Sequence, residues 1–508
     1  MLARTCVAAF VVAFSFAPAM AQDAKKISHD KFYWLGEFNK ATTVMVTEQG
    51  IVPRELGAKI ARGVIQAIAD GDKPGAKRPG DYFDMEKLII AIAGPDATRM
   101  HSGRSRQDIL ATERRVMLRE RTLDLADAMD VARTRLTDLA SQHVATIVPA
   151  YTNGIQAQPT SYAHYLLAFA AALERDANRL RESYARLNLS PYGSGVLGTS
   201  SFAVNRPRLA ELLGFDGVVE NSYDATQVAT MDVSAEIASL CANAALTVGS
   251  LVQDIHTQYH QISPWILLRE GALTGTSTAM PQKRNPNGLN RLRLRASTVV
   301  GDAQTFLIQA HNVSPGLPDY KPPTAWPEPE IQVQKTADGA TDMFRQLGVL
   351  VASLVVNPSR ALDEVNAEYS TTTELADVLQ READVPFRAG HFFASELVNF
   401  GRANNLKPTE IPYRDAVRIY TESSRKYDLK DTRLPLTEER FRTSLSAENM
   451  VNASLGLGGP QPAEVKRMLD GATNRLAEDK AWVKAQRAKL AAASAELDRV
   501  FNQLAQQN

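Results

Sequence analysis

Between Gly271 and Asn290 the chain reads GALTGTSTAMPQKRNPNGLN, the stretch richest in groups that do chemistry. Small hydroxyl residues and glycines make a mobile loop, and Lys283 stands just ahead of Asn285-Pro286, a favourable N-cap and N1 pair for a helix. The unpaired N–H groups of such a helix start, together with the Lys283 ammonium, define an anion site. A hydroxyl beside it, from Thr276, Ser277 or Thr278, would lose its proton more readily than usual, because the alkoxide is the form those groups favour. The chemistry this permits is proton removal next to a bound carboxylate. The same residues would also serve as a polar surface loop with an ordinary capped helix start, and the segment alone does not decide between the two.

The elements that must position this loop are helical. A segment from Thr160 to about Leu187 contains neither Pro nor Gly. From about Met231 to His260, Ile237, Leu240, Cys241, Ala244, Val248, Leu251 and Ile255 fall on one stripe. A third helix is expected from Asn285-Pro286 towards His311, and a fourth from about Glu330 to Val356. These lengths exceed the usual ~11–12 residues and indicate an extended bundle. Runs of strict alternation, the mark of strands, are scarce. Residues 313–330 form a Pro-rich stretch, and around Asp384–Pro386 the long-helix pattern gives way to shorter segments. Near the end Leu476, Val483, Leu490 and Leu497 recur every seven residues, a helix-pairing seam. The expected organisation is residues 22–130, 131–385 and 386–508 as three helical domains.

Bulk properties bound the function. The 508 residues suffice for two or three domains and a large core. Lys+Arg and Asp+Glu balance at 57 each, so no basic excess points to nucleic acid, and no membrane partner is indicated. Residues 1–21 read as a signal peptide: Arg4 gives the positive region, Val7 to Ala17 the apolar run, and Ala19-Met20-Ala21 the cleavage site before Gln22. A periplasmic or secreted protein is expected. Cys6 leaves with that segment, Cys241 remains alone, and its apolar face marks it as core. His256 and His260 are one helical turn apart but lack an evident third ligand. There is no dinucleotide fingerprint or phosphate loop, and no cofactor is implied.

The order of residues in the loop carries a resemblance. Ser277 to Pro286 resembles the signature G-S-S-x-M-P-x-K-x-N-P of the fumarase/aspartase superfamily, with Thr276 in place of its Gly and Thr278 in place of its second Ser. The flanking segments resemble argininosuccinate lyase. His101-Ser102-Gly103-Arg104-Ser105-Arg106-Gln107-Asp108 is similar to H-T-G-R-S-R-N-D, and Tyr151-Thr152-Asn153 with Gln158-Pro159 to Y-T-H-L-Q-x-A-Q-P. Pro191–Gly195, Asn221–Ala225, Thr373–Ala376 and Pro386–His391 resemble P-L-G-x-G, N-S-x-D-A, T-D-L-A-D and P-F-R-x-x-H.

The resemblance implies an all-α fold of three domains around a long central bundle. It implies a homotetramer whose active sites each draw on three subunits, and elimination of an amine from a succinyl group to leave fumarate. In that chemistry Ser277 is the base, with Thr278 as the alternative if the alignment slips by one. Lys283 and Asn285 stabilise the extra charge that develops on the carboxylate. Ser105, Arg106, Gln107, Thr152 and Gln158 hold the small dicarboxylate substrate, with Tyr320 as a further contact. Two departures stand out. Asn153 replaces the family's His, and Asn290 replaces the Glu paired with it, so the usual proton donor is missing on both sides. A catalytically silent member with a binding or structural role is the alternative those losses raise.

Overall fold

The computed structural model describes residues 29–312 and 329–507. The expected signal peptide and Tyr320 lie outside the described residues.

Helices α1 (Lys31–Glu48), α2 (Arg54–Gly71) and α3 (Tyr82–Ala93) precede α4 (Arg106–Gln142). A hairpin of β1 (Ile147–Thr152) and β2 (Ile155–Ser161) leads into α5 (Tyr162–Leu187). The two-residue strands β3 (Leu189–Ser190) and β4 (Gly217–Val218) pair around α6 (Arg206–Leu212). There follow α7 (Asp232–Gln258), β5 (Ile266–Leu268), the short ladder β6 (Gly275–Thr276) with β7 (Arg284–Asn285), α8 (Asn287–Ala310) and α9 (Pro329–Val351). Strand β8 (Leu354–Val356) closes on β5. The remaining helices are α10 (Pro358–Ala367), α11 (Thr372–Ala383), α12 (Phe387–Ala403), α13 (Tyr413–Lys426), α14 (Glu438–Ser444), α15 (Ala447–Ala453) and α16 (Pro462–Ala505).

The central core joins α4, α5, α7, α8, α9 and the first half of α16. All seven residues of the expected α7 stripe, Ile237 through Ile255, are buried in it. An apolar stripe at helical spacing gains about 1.5–3 kcal/mol per fully buried large aliphatic side chain, which drives such a bundle together. By length and composition α7 would also cross a bilayer, but half of its apolar window is buried within the protein. Cys241 is a core residue, fully buried, with its thiol pushed up to about 12 by desolvation. The seven-residue seam on α16 is buried at Leu476, Val483 and Leu497, with Leu490 packed at the edge of the core.

Two expected boundaries move. Residue 130 falls inside α4, which is continuous and serves both the central core and a second core with α1, α2, α3 and α6. The break at Asp384–Pro386 is a corner between two packed helices: Asp384 ends α11 with φ 53°, and Leu375, Val378 and Leu379 pack with Phe393 and Leu397 across it. The third core therefore begins upstream of residue 386. Helix α16 leaves it and returns to the first two cores, because its apolar seam finds partners on α4, α5, α1 and α2.

Helix directions orient the site. Arg121 of α4 pairs with Asp338 of α9, and Gly348 of α9 meets Val131 and Arg135 of α4, so the two run parallel. Arg295 pairs with Asp342 and Asp302 with Lys335, so α8 runs antiparallel to α9. The start of α8 therefore lies at the end of the bundle where α4 finishes and the β1–β2 hairpin begins.

Candidate active site

The 271–290 loop is organised by the β6–β7 ladder, in which Gly275 pairs with Asn285 and Thr276 with Arg284. Ser277 follows the last residue of β6 and Lys283 precedes the first residue of β7, so both flank the neck of the loop. The half-buried Ser277 Oγ accepts the backbone N–H of Met280 at 3.1 Å and of Ala279 at 3.4 Å. Donors aimed at a hydroxyl oxygen favour the alkoxide. Lys283 is exposed, and Thr278 is exposed beside Ser277.

The loop is pinned to α8: Gly288 N–H donates to Leu273 O at 2.8 Å, and Arg291 donates to Ala272 O at 3.1 Å. Gly275 leaves room for the Asn287 side chain, whose Nδ2 would stand 2.4 Å from a Cβ there and would have to shift. The expected cap is displaced. Asn285 is a strand residue, Pro286 (φ −81°, ψ 66°) occupies the N-cap without a side-chain bond, and α8 starts at Asn287. Closure of the ladder holds Asn285 extended, so it cannot cap. One early N–H of α8, that of Gly288, is already satisfied by the protein. Asn290 is exposed on the first turn of α8.

Thr152, Asn153 and Gln158 are exposed on the β1–β2 hairpin. The hairpin, unexpected from sequence, turns on two residues of positive φ, Asn153 (52°) and Gly154 (76°), as a type I′ turn requires. Where the family segment reads His-Leu, this chain has Asn-Gly, the preferred pair for that turn.

Ser105, Arg106 and Gln107 form the start of α4. The Ser105 hydroxyl accepts from Gln107 N–H at 3.2 Å, and Asp108 closes the capping box on Ser105 N–H at 2.9 Å. Arg106 is exposed. Sequence reasoning passed over Asp108, although the Ser-x-x-Asp spacing signals a box. Its second oxygen accepts Gly193 N–H at 2.9 Å and Gly195 N–H at 3.2 Å, locking the Pro191–Gly195 turn onto the α4 start.

Burial pushes the Asp108 carboxyl up to about 7, against the pull of the Ser105 N–H, Arg104 and the Gly195 and Gly193 N–H groups. Burial and neighbouring Asp479 raise Asp130 to about 7 as well, against Arg133. Both folded values exceed the unfolded ~3.9, so the folded chain binds extra protons, and the stability they contribute is lost as pH rises from about 4 to about 7. Urea midpoints measured across that range should therefore fall with rising pH, and Asp108→Asn should flatten the slope. An unchanged slope in the variant would contradict the assignment to Asp108.

Within one chain these residues form two groups. Ser277, Thr278, Lys283, Asn285 and Asn290, with Thr152, Asn153 and Gln158, lie at one end of the bundle. Ser105, Arg106 and Gln107 lie at the other, separated by the 37 residues of α4, about 55 Å of helix. His256 stacks on His260, and Arg293 donates to His256 Nδ1 at 2.8 Å, so that lone pair is engaged.

The long helical bundle is the fold of the fumarase/aspartase lyases. A class II fumarase from Schistosoma mansoni shares the fold at TM-score 0.63 and 14% identity, over 83% of this chain and 90% of that one. A crystal structure of EDDS lyase in complex with formate is more similar, with TM-score 0.82 and 28% identity over 94% and 92% of the two chains. An EDDS lyase variant with bound fumarate matches equally well. Family profiles described as Lyase and as Argininosuccinate lyase C-terminal match residues 83–301 and 369–452. The argininosuccinate lyase of Methanocaldococcus jannaschii is 31% identical over 443 residues, 86% of this chain and 87% of its own length. The chain belongs to the argininosuccinate lyase family and is a C–N lyase.

Proposed function

We propose that the protein eliminates an amine from an N-substituted succinyl or aspartyl compound to give fumarate. The observation that carries this is the loop neck, where Ser277 Oγ accepts two backbone N–H groups just beyond β6 and Lys283 stands just ahead of β7. Kinship with argininosuccinate lyases, and fumarate bound to a variant of the similar EDDS lyase, support the reaction class.

Ser277 takes the proton from the carbon beside the carboxylate. Lys283 and Asn285 stabilise the second negative charge that then develops on that carboxyl group. Arg106, Gln107, Ser105, Thr152 and Gln158 hold the substrate carboxylates, and the loop closes over the substrate to exclude water.

Distance supports a shared site. The length of α4 separates Arg106 from Ser277 within one chain, so in this reading the binding residues come from a neighbouring copy in the homotetramer that the family resemblance implies. Exposed apolar side chains on the bundle helices, Leu246 on α7, Leu294 and Ile308 on α8 and Val349 on α9, support association along that face. The order of charge, apolar run and small residues in positions 1–21 supports export to the periplasm. The Asn153 and Asn290 departures, with export, favour a substrate other than argininosuccinate.

Mixing the purified protein with a panel of N-succinyl amines, and following the ultraviolet absorbance of fumarate, tests the reading. Release from at least one member is expected. It should fall about a hundred-fold or more in Lys283→Ala and persist in an exposed-Lys control. No release from any member, by an intact tetramer, would favour the silent alternative.

A further inference from the structure

The elimination leaves one proton unassigned. The departing nitrogen must gain it, and neither Asn153 nor Asn290 can deliver one at neutral pH. Behind the Asn153–Gly154 turn, the hairpin carries a group that can. Strand β2 bulges opposite Ala150 and Tyr151, leaving Ala157 unpaired between Gln156 and Gln158 and bending the hairpin there. The Tyr151 hydroxyl donates to Glu364 Oε1 of α10. Gln156, the cross-strand partner of Tyr151, donates Nε2 to the Glu364 carbonyl at 2.9 Å. Glu364 thus grips both strands of the hairpin just below Thr152 and Asn153.

Tyr151 also lines a cavity of about 130 Å³, with Tyr162, Tyr165, Asp254, Gln258 and Trp265. Tyr165 donates to Asp254 at 2.6 Å. The Tyr162 hydroxyl, Trp265 Nε1 and Gln258 Oε1 are buried there without a protein partner, on residues 0%, 4% and 5% exposed. Buried polar atoms take partners, and this volume holds up to about four waters.

Resting on the lyase reading above, we propose that Tyr151 is the proton donor to the departing nitrogen, resupplied by Glu364 and by water in the polar cavity behind the hairpin. As the C–N bond breaks, its electron pair stays on nitrogen, which takes the Tyr151 hydroxyl proton. The Tyr151 oxygen takes the proton of Glu364 in its protonated form, which reverses the sense of the bond seen in the structure and leaves a carboxylate. The carbon-bound proton has meanwhile passed to the Ser277 alkoxide. Water then carries one proton from Ser277 to Glu364, which restores both groups. Fumarate and a neutral amine leave, and no co-reactant is consumed.

Burial raises the Glu364 carboxyl above its ordinary range, which enlarges the protonated fraction available near neutrality. The elements packed on α10 offer Tyr151 from β1, Glu448 from α15, and Lys407 and Glu410 from the turn at 407–410. Strand β2 brings no titratable side chain, and α10 itself carries Arg360 and Asp363.

The test is leaving-group dependence in Tyr151→Phe and Glu364→Gln, assayed as assembled protein on N-succinyl amines ranging from alkyl to aryl. Both variants should lose about a hundred-fold or more in kcat when the amine is a basic alkylamine, and only a few-fold when it is a weakly basic arylamine. Glu364→Gln should also shift the alkaline limb of the pH profile. Equal loss across the series would reduce the pair to a structural brace and overturn the relay, as would full activity in either variant. If the unaltered protein releases fumarate from no panel member, the lyase reading itself fails and the relay falls with it. A uniform loss in variants of an active protein removes the relay alone.

Discussion

Ser277→Ala should lower kcat for fumarate release by about a thousand- to ten-thousand-fold, with assembly and helix content unchanged. The side chain removed is one hydroxyl on a half-buried loop position, and its two partners, the N–H groups of Ala279 and Met280, belong to exposed residues that water can satisfy. Little stability is at stake. What is lost is the oxygen that receives the carbon-bound proton. Thr278 is exposed on the neighbouring position, and Thr276 is exposed on the ladder opposite Arg284. Thr278→Ala should therefore cost less than about tenfold. KM should change little in Ser277→Ala, because the base acts in the transition state rather than in binding. Steady-state kinetics of the two variants side by side decide the matter. A large loss in Thr278→Ala with a small one in Ser277→Ala would move the base by one residue, and the account of the loop neck would be wrong.

The parts of this protein that could be read from its sequence are those governed by periodicity and by residue order. The α7 stripe is legible because burial of one helical face repeats every 3.6 residues, and its members are buried as expected. The α16 seam is legible for the same reason. The family is legible because the order around Met280-Pro281 and Lys283 is long and specific.

What was not legible depends on conformation at single residues. Asn153 stands where the family has His, and its own chemistry together with Gly154 turns a hairpin. The signal in the sequence is the Asn-Gly pair. Asn285-Pro286 has the composition of a helix start, but the β6–β7 ladder holds Asn285 extended and delays the helix to Asn287. The break at Asp384 has the composition of a domain edge, yet it is a corner within the third core. Asp108 was invisible as a keystone because two of its bonds reach 85 and 87 residues along the chain.

In the proposed enzyme a working site is assembled from opposite ends of different chains. Two variants, Ser277→Ala and Arg106→Ala, should each be nearly inactive, since one lacks the base and the other a carboxylate anchor. Coexpressed with different affinity tags and purified as mixed assemblies, they should regain activity. A site that takes Ser277 from the Arg106→Ala chain and Arg106 from the Ser277→Ala chain is complete, and random assembly makes about one quarter of the sites so. Activity rising from near zero towards that fraction is the predicted result. Mixed assemblies, verified by native mass spectrometry to hold both variants, that remain as inactive as either parent would contradict a shared site.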